Sequence, residues 1–304
     1  MPLLDFRDVS IIITTYNRKR ELVFTLNTLQ DVISPEGIYI WDDASTDGTF
    51  EYISKNYPDI KLYKNDINQG LIANRNRLMA VVKTRYLISL DDDAHFITPK
   101  SLLDALCFME DTPNCAVLSF RLYWGLKAPK KPGTQQEVFQ VRNYLGGAHL
   151  MKREVWNNCI KSYPQWYHFY GEEDYASLKL YRKGLKIFYF PKVLVHHRVH
   201  ISDRKKNFDY SRRAIFSLHA AWSNYLIFYP KPEAYFKIVY SVKEQIRLKL
   251  LKGQIEIIRT IFLAFWLLMN NYSFRNKISL SLSRIELKKY LSLPQAPIYW
   301  TTND

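Results

Sequence analysis

The chain has 304 residues, is 47% hydrophobic and 15% aromatic, and carries 43 Lys and Arg against 29 Asp and Glu, a formal net charge of +14. That length and apolar share exclude a disordered or fibrous chain and leave room for one globular domain with an appendage, or for two domains. Cys107, Cys115 and Cys159 form an odd set without metal-ligand spacing, which argues against a disulfide scaffold and favours a reducing compartment.

The N-terminus shows no secretory leader pattern and enters a β-branched strand, Val9-Ser10-Ile11-Ile12-Ile13, that ends at Thr14-Thr15-Tyr16-Asn17-Arg18. Leu22, Val23, Leu26 and Leu29 then recur at helical spacing. A second strand, Gly37 to Trp41, ends in Asp42-Asp43, and Ala44 to Thr49 supplies turn and capping residues. A helix over 49–56, a strand over 60–63, the turn Asn68-Gln69-Gly70 and a helix over 71–82 follow. Tyr86 to Leu90 is an apolar run that reads as a buried parallel strand, and it leads directly into Asp91-Asp92-Asp93. This alternation predicts a parallel α/β sheet built by crossovers, with three strand ends, Thr14-Thr15, Asp42-Asp43 and Asp91-Asp93, on one rim. Three adjacent carboxylates repel one another unless a cation compensates them, and a hard divalent ion suits oxygen ligands. The glycine-rich dinucleotide fingerprint and the Gly-Lys-Ser or Gly-Lys-Thr phosphate loop are both missing, which excludes the common nicotinamide, flavin and P-loop classes.

Ile12 to Arg18, Trp41 to Thr49, Asn68-Gln69-Gly70 with Arg75-Asn76, and Leu90 to Asp93 occur in the order and spacing of the nucleotide-sugar half of the family 2 glycosyltransferases. The resemblance covers roughly residues 9–200 and is to members of the bacterial surface-polysaccharide type. It implies an α/β GT-A fold: a Rossmann-like, mostly parallel sheet flanked by helices, with a C-terminal helical region. The implied organisation is a catalytic domain over 1–205, with a donor half to about 98 and an acceptor half beyond it, then a basic helical region over 206–293 and a tail over 294–304. The implied nucleotide-sugar contacts are Thr14, Thr15, Tyr16, Arg18, Asp43, Arg75, Asp91, Asp92 and Gly147, with Asn76 supporting the loop. Asp93 would meet Mn²⁺ or Mg²⁺ bridging the donor's two phosphates, and such an ion stabilises the charge that grows on a nucleoside diphosphate leaving group.

Past the acidic rim, the sequence predicts a helix over 99–109, a strand over 115–120 and a loop over 125–137 containing Lys127, Lys130 and Lys131. Gly146-Gly147 permits close backbone approach to a ligand. Gly171 precedes Glu172-Glu173-Asp174 at the start of a helix that stops at Gly184. The family resemblance makes this the acceptor-base motif: Asp174 is the expected base, and counting back from Gly184 favours Glu173. A carboxylate there would take the acceptor hydroxyl's proton and imply an inverting transfer. The resemblance further implies a histidine just past the strand over 187–195 that completes the metal site or touches the diphosphate; His196 or His197 could supply it, alternation lets only one face the pocket, and His197 is favoured. Arg198, Arg204, Lys205 and Lys206 follow, and His200 completes three histidines in five residues without the second ligand cluster that zinc needs.

The last third is helical, aromatic and basic. From Lys205 to Tyr290 there are 16 Lys or Arg and 5 Asp or Glu, a net of +11. Pro230-Lys231-Pro232 divides two helical runs, 260–269 is the most apolar stretch, and Ser279 to Leu291 is a short basic amphipathic segment. Ten residues are too few to cross a bilayer. An interfacial helix on an anionic membrane surface is expected, with packing on the core or in a homo-oligomer as the alternative. The reading is therefore an inverting, metal-assisted glycosyltransferase. It would take a UDP- or dTDP-sugar, act on a surface glycan or lipid-linked saccharide, and be cytoplasmic and peripheral on the inner face of the plasma membrane. The alternatives are a nucleic-acid binder using the basic aromatic region, which lacks any known binding motif, and an inactive glycan or nucleotide-sugar binder.

Overall fold

The computed structural model describes residues 5, 7–130, 133, 137–167, 169–199, 209–249, 253–270 and 280–301. Lys131, His200, Arg204, Lys205, Lys206 and Ser279 lie outside the described residues.

The first half alternates as its periodicity predicts: β1 Val9–Thr15, α1 Lys19–Leu29, β2 Ile38–Asp42, α2 Thr49–Asn56, β3 Lys61–Lys64, α3 Leu71–Val81 and β4 Tyr86–Leu90. Strands β3, β2, β1 and β4 are neighbours in that order and all parallel, with Thr15 level with Asp42 and Ile12 level with Ser89. Ile11, Ile12 and Ile13 are all buried. A strand apolar at consecutive positions needs cover on both faces, which crossover helices supply.

The second half is mixed. It holds β5 Ala94–Phe96, α4 Ser101–Asp111, β6 Cys115–Trp124, β7 Phe139–Val141, β8 Ala148–Lys152, the single turn α5 Arg153–Val155, α6 Glu172–Arg182 and β9 Lys186–His197. β8 enters antiparallel between β4 and β6, β9 runs parallel to β6, and β5 pairs antiparallel with β9. The β4–β8 register sets Leu90 opposite Ala148, which brings the Gly146-Gly147 turn beside Asp91. The β5–β9 register sets Ala94 opposite His197 and so carries the strand's last histidine to the acidic rim.

Beyond the sheet come α7 Asp209–Phe228, α8 Lys231–Lys249, α9 Glu256–Asn270, α10 Arg284–Ser292 and β10 Ile298–Trp300. Pro230 and Pro232 fall at the α7–α8 junction, where a first-turn proline is tolerated and an interior one is not. α7 and α9 share a small second core of Leu218, Trp222, Ala264 and Leu268. A capping box starts α10: Ser283 Oγ accepts the Glu286 N–H at 3.2 Å, and Glu286 Oε2 accepts the Ser283 N–H at 2.7 Å. Residues 298–300, expected to trail as a tail, pair parallel with β6.

Candidate active site

Two loops at the parallel rim are tied together. Asn17, at φ 52°, accepts the Thr46 N–H on its side-chain oxygen at 2.7 Å and donates its own N–H to Ser45 Oγ at 2.9 Å. Asp43 is buried and accepts the N–H of Gln69 at 2.7 Å, that of Gly70 at 2.8 Å and the Asn65 amide at 2.7 Å. Its carboxylate thus fixes the turn that starts α3. Thr14 is half-buried at the end of β1, and Tyr16 is exposed beside it.

The acids at the end of β4 point in different directions. Asp92 turns back toward β1, where its Oδ2 accepts the Thr15 hydroxyl at 2.8 Å. Arg18 stands between two of the acids, 2.7 Å from Asp93 Oδ2 and 3.3 Å from Asp92 Oδ1. A guanidinium therefore provides part of the charge compensation that the sequence demanded. Burial and the neighbouring Asp93 push the Asp92 carboxyl up to about 7, against the pull of Arg18. Burial acts the same way on Asp93, but His197 and Arg18 together hold it below the usual carboxylate range.

His197 Nε2 lies 2.8 Å from Asp93 Oδ1 and 3.6 Å from Asp91 Oδ2. Ligand atoms of Asp91, Asp93 and His197 all fall within 4.8 Å of one another. Two carboxylates and one imidazole are a donor set that fits Mn²⁺ or Mg²⁺. His196, one residue earlier on β9, faces the other way: its Nε2 is 2.8 Å from the Gly125 carbonyl and its ring packs edge-on against His95.

Arg75 joins this rim to the acidic start of α6. It is buried and donates to Asp91 Oδ1 at 2.8 Å, Glu172 Oε1 at 2.9 Å and the Gly146 carbonyl at 3.2 Å. Glu173 Oε1 is 3.7 Å from the same guanidinium. Burial works against the Arg75 charge, yet the three carboxylates keep the group protonated more firmly than usual. Glu173 sits against the glycine turn, where a Cβ on Gly146 would overlap its Oε1. A Cβ on Gly147 would stand 3.0 Å from both His197 Nδ1 and Leu122 Cδ2. Burial and the adjacent Glu172 push the Glu173 carboxyl well above its ordinary value, with Arg75 opposing.

Asp174 is exposed. Crowding by the surrounding protein and by Glu173 pushes its carboxyl up to about 6, with Arg142 opposing; open solvent screens part of that shift. Its charge is felt by Tyr225, Tyr229 and Tyr290, on the side of α7 and α10. Among the described residues no hydrogen bond or ion pair joins it to the Asp91, Asp93 and His197 cluster.

Sequence reasoning missed three contacts. Glu172 is the buried counter-ion of Arg75, 97 residues away in the chain. Asn76 clamps residue 163 through two hydrogen bonds, donating to the Tyr163 carbonyl at 2.9 Å and accepting its N–H at 2.8 Å. A third, Trp124, packs its ring edge-on against His197 with centroids 5.3 Å apart, and Trp300 of β10 packs likewise on Trp124. The only local signal for that stack was aromatic residues at the ends of two strand-like runs.

The model of glycosyl transferase family 2 matches residues 10–166. A curated relative, the UDP-Glc:alpha-D-GlcNAc-diphosphoundecaprenol beta-1,3-glucosyltransferase WfaP of Escherichia coli, is 36% identical over 105 residues, 34% of this chain and 41% of its own. An uncharacterized glycosyltransferase of Haemophilus influenzae is 34% identical over 107 residues, 35% of this chain and 36% of its own. The chain thus spans about two-fifths of the length of the curated relatives it matches. Among solved structures, S. aureus TarS 1-349 in complex with UDP-GlcNAc superposes with a TM-score of 0.59 at 15% identity, over 94% of this chain and 87% of that one. That likeness carries the fold, an α/β GT-A-like architecture with a C-terminal helical region. With the family model covering more than half of its residues, the chain belongs to glycosyl transferase family 2.

Proposed function

We propose that this glycosyltransferase moves a sugar, with inversion, from a UDP- or dTDP-sugar to a hydroxyl of a surface glycan or lipid-linked saccharide at the inner face of the plasma membrane. The observation that carries the reading is the pairing, through one buried Arg75, of the Asp91–Asp93–His197 cluster with the Glu173 carboxylate at Gly146. The WfaP relative, a UDP-Glc transferase by name, supports the donor class and a lipid-diphosphate acceptor. The donor half is taken as residues up to about 98, the acceptor half as those to about 205, and 206–293 as the helical region.

Asp91, Asp93 and His197 would hold a divalent cation, which when bound stabilises negative charge on the diphosphate leaving group. The chain's own residues then do the following. Asp43 and the turn it fixes shape the nucleoside pocket beside Thr14, Thr15 and Tyr16. Arg75 orients Asp91 toward the donor. Glu173, rather than the first-choice Asp174, takes the acceptor hydroxyl's proton. Its carboxyl lies at the glycine turn, and its raised proton affinity strengthens it as a proton acceptor.

The test is calorimetry of UDP, dTDP, GDP and ADP with the purified chain, each with Mn²⁺ and with EDTA. Binding of a pyrimidine diphosphate that needs the metal is the expected result. Metal-independent binding, or binding of none, overturns the donor-site assignment.

A further inference from the structure

We propose that the outer face of α8 and α9 is a docking surface for an anionic phospholipid bilayer. The inference deepens the membrane-face reading above and rests on it for the acceptor's location. On α9, Ile258, Phe262, Phe265, Trp266 and Met269 are exposed along one stripe, while Ile257, Thr260, Ala264 and Leu268 are buried on the opposite side. No charged residue occurs from Thr260 to Asn270. On α8, Phe236, Val239 and Tyr240 are exposed in the same helix as the exposed Lys237, Lys243 and Arg247. Exposed apolar surface of this extent marks an interaction site rather than ordinary surface.

Length and charge select the occupant. α9 has 15 residues, about 22 Å at 1.5 Å per residue, short of the ~30 Å hydrocarbon core. No helix among the described residues is long and apolar enough to cross a membrane. Such a helix can instead lie in the interface with its apolar stripe down. Lys231, Lys237, Lys243, Arg247, Lys249 and Arg259 outnumber Glu233, Glu244 and Glu256 on the two helices; Glu244 is paired with Arg247, and Glu233 with Arg284. A second copy of the same face would oppose like charges, whereas an anionic leaflet complements them. At the edge of the stripe lies a cavity of about 900 Å³ whose walls include the cationic Arg259 and Lys249, the acidic Glu256 and the apolar Ile255, Ile258 and Phe262, so that cations outnumber the acid beside an apolar wall.

The surface is also placed to serve the proposed reaction. α7, which carries both docking helices, lies against the turn before the acidic motif. Asn224 donates to the Gly171 carbonyl at 3.0 Å and accepts the Tyr167 hydroxyl at 2.7 Å. A Cβ on Gly171 would stand 2.5 Å from that of Ala220. The docking helices are thus tied, through α7, to the turn that starts the acidic helix α6.

Flotation of the full chain with vesicles tests this, comparing phosphatidylcholine alone with phosphatidylcholine containing about one third phosphatidylglycerol. Binding should be roughly tenfold or more tighter to the anionic vesicles and be lost at high salt. A Phe262→Ser, Trp266→Ser double variant should bind them roughly tenfold or more weaker while keeping metal-dependent UDP binding, which verifies its fold. Binding that ignores lipid charge, or a variant that binds like the parent, overturns the proposal. So does self-association in solution that the double variant abolishes, since that gives the face to a second copy. Failure of nucleotide binding with vesicle binding intact would instead strike the glycosyltransferase site reading alone.

Discussion

Replacing Arg75 by Met tests the buried charge network most directly. The guanidinium faces Glu172 at 2.9 Å and Asp91 at 2.8 Å, and the Glu172 side chain is only 2% exposed while that of Asp91 is 26% exposed. Asp91 can recover hydration when its partner goes, but Glu172 cannot. Removing one member of a buried pair leaves an uncompensated charge and costs about 3–5 kcal/mol. At about 2 °C per kcal/mol for a chain of this size, the melting temperature should fall by roughly 6–10 °C. The pH dependence has a fixed sign. Arg75 pulls the already raised Glu173 carboxyl downward, so without it that carboxyl takes a proton at still higher pH. A folded-state value raised above the unfolded one means stability present at low pH and lost as pH rises. The gap between Arg75→Met and the parent should therefore be wide at pH 8 and narrow toward pH 5. Urea unfolding followed by tryptophan fluorescence, with EDTA present, measures it at both. A loss under about 1 kcal/mol, the range of an exposed pair, or a gap that widens toward pH 5 refutes the network as described.

Glu173→Gln should cut turnover by roughly 10² to 10⁴ while leaving metal-dependent UDP binding intact, and Asp174→Asn should leave turnover within a few-fold; the opposite pattern in steady-state kinetics returns the base to Asp174. Gly146→Ala places a methyl on Glu173 Oε1, so turnover should drop by at least about tenfold with an unchanged nucleotide Kd, and a parent-like rate would show that Glu173 does not work from that position. Asp92→Asn in EDTA should raise the melting temperature at pH 8 and have little effect at pH 4. The folded Asp92 carboxyl is raised to about 7, so the parent loses stability as pH rises from about 4 through 7, and the amide removes that loss. A stabilisation confined to pH 4 would reverse the sign and sink the assignment.

The acidic rim was legible in the sequence because its logic is local. Each parallel strand announces itself by a β-branched or apolar run, and the acids follow at the strand's end, so sheet order alone brings Thr15, Asp42 and Asp91 to one edge. Alternation along β9 left one question for the structure, and it is the β5–β9 register that turns His197 to Asp93 and His196 to Gly125. What the sequence concealed is non-local. Nothing near Arg75 signals a partner 97 residues on, and nothing in Ile298–Trp300, three residues between a proline and the C-terminus, signals pairing with the interior strand β6. Arg18 looked like a donor contact, and its position between Asp92 and Asp93 depends on how the β1 loop folds back over the end of β4.

The helix that carries Glu172, Glu173 and Asp174 explains how three like residues in succession acquire different environments. Successive side chains on a helix are separated by about 100°, so they cannot share a face. Glu172 points into the core and neutralises Arg75. Glu173 turns to the glycine turn, where the missing Cβ of Gly146 leaves room for its carboxylate. Asp174 turns outward toward α7, Arg142 and the tyrosines of the C-terminal helices. The proposed roles follow from these directions: buried Glu172 holds Arg75, Arg75 holds Asp91 and lies 3.7 Å from Glu173, and Glu173 combines partial exposure with a raised proton affinity. Because Arg75 touches both sides, one guanidinium ties the Asp91 rim to the start of α6.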